Sequence, residues 1–114
     1  MIFKIVHAVE WAEVDGDYAG SAKDRADGFL HFSTDAQLMG TLTRYYADAD
    51  DLLLVAVDEA ALGAALRYEP SRDGQLFPHL YRALPLQAVR WARPIVRDRE
   101  GGFAPPIDAH DECA

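Results

Sequence analysis

The 114 residues are 50% hydrophobic and 26% charged with a formal net charge of −8, the proportions of a soluble globular chain with enough residues for one core but not two. Eleven scattered Lys and Arg against nineteen Asp and Glu argue against a broad nucleic-acid or anionic-membrane surface, while leaving room for a small anion held by one or two local arginines. The single cysteine, Cys113, excludes an intramolecular disulfide framework and a multi-cysteine zinc site.

The opening Met1-Ile2-Phe3-Lys4-Ile5-Val6-His7 reads as a first strand over 2–7, not as a secretory leader, with His7 on the face of Phe3 and Ile5. The expected residence is therefore cytoplasmic, and no apolar run approaches the ~20 residues of a membrane span. A short helix around Val9–Val14 carries Trp11. A turn follows at Asp15-Gly16-Asp17, and the stretch Tyr18 to Arg25 reads as irregular, with room for a helical turn. A strand over 29–33 places Phe29, His31 and Ser33 on one face and Leu30 and Phe32 on the other, the core face. His31 and Ser33 stand roughly 7 Å apart along it. Thr34, with Gln37, forms a capping box that starts a helix from Asp35 to Ala47. That helix buries Leu38, Leu42, Tyr45 and Tyr46.

After the acidic break 48–51, the apolar run 52–58 predicts a strand buried on both faces. Asp58 caps a short helix from Glu59 to Ala65, and Leu66-Arg67-Tyr68-Glu69 alternates as a strand stopped by Pro70. A turn over 71–75 leads to Phe77-Pro78-His79-Leu80-Tyr81-Arg82, which is extended, with His79 and Tyr81 on one face. Pro85 to Ala88 makes a helical turn. Val89 to Val96 is a last strand that Pro94 confines to an edge or a bulge. Beyond a turn at 98–102 the chain reads as a loose tail. The expectation is one α+β domain over 1–100, with a partly antiparallel sheet, and a flexible tail over 101–114.

Three histidines, His7, His31 and His79, lie on strands. If the strand ends converge, they line one cleft with Ser33, Glu69 and Tyr81. A metal site built from the three histidines lacks any close ligand spacing. Ser33 lacks the strained-turn context of a hydrolytic nucleophile. A nucleotide site asks for hydrogen-bond partners for ribose, an aromatic for stacking and a cation for phosphate. His31, Ser33, Thr34, Tyr81 and Arg82 can supply these, and Glu69 offers the carboxylate that favours an oxocarbenium-like transition state. Each of these residues also has a structural reading: a satisfied core histidine, a cap, an aromatic anchor with a polar tip or a surface charge.

Val6-His7 with Trp11, the run Asp27-Gly28-Phe29-Leu30-His31-Phe32-Ser33-Thr34 with Gln37, Leu53–Asp58, Tyr68-Glu69 and Phe77-Pro78-His79-Leu80-Tyr81 together resemble the bacterial and plant domain-of-unknown-function family 952. The resemblance covers roughly residues 2 to 96. It implies an ADP-ribosyltransferase-like fold, a split and mostly antiparallel β-sheet with short helices around a cleft that takes NAD in the enzymes of that superfamily. On position, it implies His7 as a ligand of the adenosine ribose, His31 with Ser33 as the second-strand polar pair, and Tyr81 as a stacking ring. Glu69 matches the late-strand catalytic glutamate poorly, and His79 has no counterpart.

The expected function is a small-ligand protein that binds NAD or a related nucleotide and acts at its N-glycosidic bond. The assigned catalytic residues are His31, His79 and Glu69, and the cofactor-binding residues are His7, His31, Ser33, Thr34, Tyr81 and Arg82. A non-catalytic binding module is the alternative, and a three-histidine metal enzyme a further one. Nucleic acid and membrane are not expected partners.

Overall fold

The computed structural model describes residues 1–107. Its elements run β1 (Ile2–His7), α1 (Ala8–Ala12), α2 (Ala22–Asp27), β2 (Leu30–His31), α3 (Asp35–Tyr45), β3 (Leu52–Val57), β4 (Leu66–Pro70), β5 (Leu76–Leu80), β6 (Val89–Pro94), β7 (Val96–Arg97) and β8 (Phe103–Ala104), with 3-10 turns at Glu59–Ala65, Arg72–Gly74 and Leu86–Ala88. The strands form antiparallel sheets in the orders β1-β3-β6, β2-β5-β4 and β7-β8. This is the α+β class that the order of elements implies. No helix among the described residues is long and apolar enough to cross a membrane.

The apolar run 52–57 occupies the centre of the first sheet, and its alternation feeds two cores. Val55 and Val57 join Ile2, Val6, Leu30, Phe32 and Leu80 on one side; Leu52, Leu54 and Ala56 join Phe3, Ile5, Leu38 and Leu42 on the other. Helix α3 covers the second core with Leu38 and Leu42, while Tyr45 stays exposed and Tyr46 caps the helix end. Strand β6 takes an edge, as Pro94 requires, and its register against β3 shifts between Ala56 and Val57.

The expected strand 29–33 is short because it changes partners. Leu30 and His31 pair with Leu80 and His79, and the Phe32 amide donates to the Pro78 carbonyl at 3.0 Å. Ser33 then exchanges both backbone hydrogen bonds with Phe3 of β1, each 2.8 Å. This four-residue segment is the seam between the two three-stranded sheets.

Other expectations are corrected. The helical turn allowed within the irregular stretch is a longer element, the six-residue α2, started by a capping box. The Ser21 hydroxyl accepts from the Asp24 amide at 3.2 Å, and the Asp24 carboxylate accepts from the Ser21 amide at 2.9 Å. Residues 59–65 form a 3-10 turn because Gly63 leaves helical geometry (φ 61°, ψ −145°), although Asp58 caps it as expected by accepting from the Ala60 amide. The start of the supposed tail is a hairpin. Phe103 packs into the second core, and Asp98 accepts from the amides of Glu100 and Gly102, both at 2.9 Å, to close the turn. Residues 108–114, with His110 and Cys113, lie outside the described residues.

A six-residue helix does not hold itself together in water, so α2 depends on its cap and its packing. Ser21→Ala is expected to lower stability by about 1 kcal/mol. A urea melt should show this as a lower midpoint at unchanged slope.

Candidate functional site

A cleft of about 400 Å³ opens where β1, α2, the 30–33 seam, α3 and β5 meet. Its walls include Lys4, Asp24, Asp27, Phe29, His31, Ser33, Arg72, Phe77 and His79.

The floor is a saturated carboxylate. Asp24 is 2% exposed, and each of its oxygens meets two donors. Oδ1 accepts from the His31 ring Nδ1 at 2.6 Å and from the His31 amide at 3.1 Å. Oδ2 accepts from Lys4 Nζ at 2.8 Å and from the Ser21 amide at 2.9 Å. Lys4, buried in the middle of β1, also donates to the His31 carbonyl at 2.9 Å. Burial alone would raise the Asp24 pKa, but the hydrogen bonds from His31 and Lys4 overcome it and hold the carboxyl well below its ordinary range. Desolvation pulls Lys4 down from its ordinary value, against the attraction of Asp24. Gly20 makes this arrangement sterically feasible: at φ +104° a Cβ there would stand 2.8 Å from the Asp24 Cβ.

His31 is thereby fixed. Its second nitrogen, Nε2, lies 2.9 Å from Oδ2 of Asp27, which also holds Lys23 at 3.1 Å. Chiefly the Lys23 hydrogen bond keeps Asp27 below the ordinary carboxylate pKa. A neutral imidazole donates to one of the two carboxylates at a time; an imidazolium donates to both.

The second histidine is held differently. The antiparallel register sets His31 opposite His79, with ring centroids 5.7 Å apart. The Phe29 ring stacks on His79 at 4.1 Å and 24°, and lies 4.7 Å from His31 and 5.3 Å from Tyr81. His79 is 5% exposed, and its Nδ1 lies 2.9 Å from Oε1 of Glu69, which also accepts from the Tyr81 hydroxyl at 2.6 Å. The hydrogen bonds from Tyr81 and His79 hold Glu69 below the ordinary glutamate pKa, and the same carboxylate raises the Tyr81 phenol. An ionised Glu69 only accepts, so in the neutral form of the ring the proton of His79 sits on Nδ1 and the lone pair on Nε2.

The structure thus brings together four of the residues named from sequence: His31, His79, Glu69 and Tyr81. Glu69 and Tyr81 flank His79 without lining the cleft. Ser33 lines it, with its hydroxyl 3.0 Å from that of Thr41. Three named residues lie elsewhere. His7 ends β1, exposed, with its ring 6.1 Å from that of Tyr46. Thr34 is engaged in the capping box of α3. Arg82 is exposed and donates to the Ala83 carbonyl. His7 is the last residue of β1 and Arg82 follows the end of β5, and neither lines the cleft. Among the described residues no three His, Cys, Asp or Glu side chains are arranged to hold a metal ion, so the three-histidine centre is not assembled.

Sequence reasoning passed over Lys4, Asp24 and Arg72. Two signals were available: a lone lysine inside an apolar strand, which stays buried only when paired, and Ser21-x-x-Asp24, a capping-box spacing.

Breaking the floor has a computable sign. Because the folded Asp24 pKa is depressed, its contribution is present above the ordinary value of 3.8 and is lost as pH falls below it. Asp24→Asn strands the Lys4 ammonium and is expected to cost about 3–5 kcal/mol at neutral pH. The variant should also lose part of the wild-type decline in stability on acidification. Adding Lys4→Met should recover stability, giving a double-mutant cycle with strong coupling. Additive single-mutant costs would contradict the coupling.

Comparison with known proteins places the chain in a family. The family described as "Protein of unknown function (DUF952)" matches residues 5–92. The crystal structure of protein CC0527 from Caulobacter crescentus superposes with a TM-score of 0.83 at 38% identity, covering 90% of this chain and 92% of that one. The solution NMR structure of the same Caulobacter protein gives 0.78 at 39% identity, covering 89% of each chain. No curated protein matches the sequence. The chain belongs to the DUF952 family.

Proposed function

We propose that the cleft binds a nucleotide of the NAD type and that His79 acts on it. The observation that carries this reading is the ring cluster of Phe29, His31 and His79 on the wall of a cleft large enough for part of a nucleotide, with Tyr81 and Glu69 packed behind His79. The apolar ring surface suits a flat base or nicotinamide. Asp27, partly exposed at the rim, is an acceptor suited to ribose hydroxyls. The ADP-ribosyltransferase-like fold that the resemblance to family 952 implies points to the same ligand class.

For chemistry at the N-glycosidic bond, the bond between C1′ and the nicotinamide nitrogen breaks with its electron pair leaving on nitrogen. A hydroxyl nucleophile, water or an acceptor alcohol, bonds to C1′ and gives its proton to His79 Nε2. Glu69 is the positioning residue: it fixes the His79 tautomer and supports the charge that the ring gains. In this scheme His31, tied between two carboxylates, holds the wall instead of acting as a base.

A second reading, a binding module without turnover, is favoured by the commitment of Glu69 Oε1 to both Tyr81 and His79, away from the cleft surface.

The test is an NMR titration with NAD, ADP-ribose and nicotinamide. The imidazole signals of His31 and His79 should shift together and saturate, with His7 unmoved. No movement at His79 would refute the nucleotide site. His79→Ala should weaken binding at least tenfold. Glu69→Gln should change the nitrogen shifts that report the His79 tautomer, which a merely structural role would leave alone. Nicotinamide release over hours favours the enzyme, and saturable binding without release favours the module.

A further inference from the structure

We infer that Arg72 forms an oxyanion subsite in this cleft, receiving a phosphate or carboxylate group of the bound ligand. Arg72 follows β4 in the turn of residues 72–74 and reaches back into the cleft wall. Its Nη1 is buried and has no hydrogen-bond partner among the described residues. A buried donor of this kind is rare in a folded protein, and a charged one rarer still.

The surroundings hold the guanidinium without neutralising it. It lies 5.0 Å from the Phe77 ring centroid, a cation–π contact that takes up none of its N–H donors. The other cations of the cleft are already matched, Lys4 by Asp24 and Lys23 by Asp27. Helix α3 makes way for it. A Cβ at Gly40 would stand 3.1 Å from Arg72 Nη2, so a glycine in mid-helix, unfavourable for the helix itself, provides the space. An oriented guanidinium, buried on one side and open to a cleft on the other, is the geometry that recognises a ligand oxyanion. Arg82, the cation expected from sequence to meet phosphate, is exposed and turned to its own backbone.

The ligand's identity rests on the nucleotide reading above, whereas the subsite is testable alone. The probe is inorganic phosphate, titrated into the full chain while the Arg72 Nε–H and the Gly40 amide are followed by NMR, with sodium acetate in parallel. Saturable shifts at both positions are expected. Arg72→Gln should weaken phosphate binding at least tenfold. Gly40→Ala should weaken it about threefold or more by displacing the guanidinium, at an equal or higher melting temperature because alanine favours the helix. This second variant keeps the test decisive if Arg72→Gln folds poorly. Saturation by phosphate alone identifies a phosphoryl group as the ligand's anion; equal saturation by acetate identifies a carboxylate as sufficient. Wild-type binding in the Gly40→Ala and Arg72→Gln proteins, or no saturable shift in the wild type, overturns the subsite. The two readings fail separately. Adenosine and nicotinamide that still move His79 in Arg72→Gln leave the ring site standing without the anion subsite. Phosphate binding in a protein whose His79 ignores NAD leaves the subsite standing and removes the nucleotide.

Discussion

The buried Asp24 carboxylate ties together three separate segments of the chain. Lys4 comes from β1, Ser21 from the start of α2, and His31 from the seam between sheets, and all converge on two oxygens. Taking a carboxylate and an ammonium out of water costs several kcal/mol per ion unless each lone pair and proton is used. Here all four acceptor directions of the carboxylate are occupied. The arrangement therefore works only in one geometry. An apolar replacement could match its stability, but could not fix where the His31 ring points, so the carboxylate serves orientation as much as cohesion.

The seam translates that constraint into the position of the site. Residues 30–33 pair first with β5 and then with β1, so they cannot slide along one sheet without breaking the other. A one-residue slip would also turn His31 into the core and Leu30 out of it. Register, ring orientation and cleft shape are thus set together, and the pairing of His31 with His79 follows from the same hydrogen bonds that join the sheets. The two rings end up in different chemical states of engagement. His31 meets a carboxylate at each nitrogen, whereas His79 meets one at Nδ1 alone.

What could be read from sequence was whatever depended on local period. Two-residue alternation put His31 on the face opposite Leu30 and Phe32, and put His79 with Tyr81. Continuous apolarity gave β3 two buried faces, and Pro94 gave β6 its edge. What was not legible depended on contacts distant in the chain. His7 alternates correctly with Phe3 and Ile5, yet the pairing of β1 with β3 carries its ring to Tyr46. The partner of Lys4 was hidden, because it lies 20 residues on in a helix too short to show a period. Arg72 and Arg82 were equivalent as charges in sequence. Only the fold distinguishes one reaching under α3 from one left at the surface.

That distinction decides how an acidic protein can receive an anion. With a net charge of −8, the long-range field of the chain opposes an approaching phosphate, but over more than about 10 Å that field is screened at ordinary salt. What counts at the site is the local, partly desolvated charge. A surface arginine such as Arg82 gives little there, since water competes for every N–H. Arg72 is backed by an aromatic ring and by a helix that gives up a side chain at Gly40, so one of its donors is already stripped of water before a ligand arrives. A pre-desolvated donor loses no hydration on binding, and the contrast between it and its acidic surroundings sharpens selectivity: a neutral ring compound would fill the apolar wall and leave Arg72 unanswered, whereas a compound joining a ring to an oxyanion at the right span would satisfy both. Selection by joint satisfaction of two sites needs no second arginine and no basic surface.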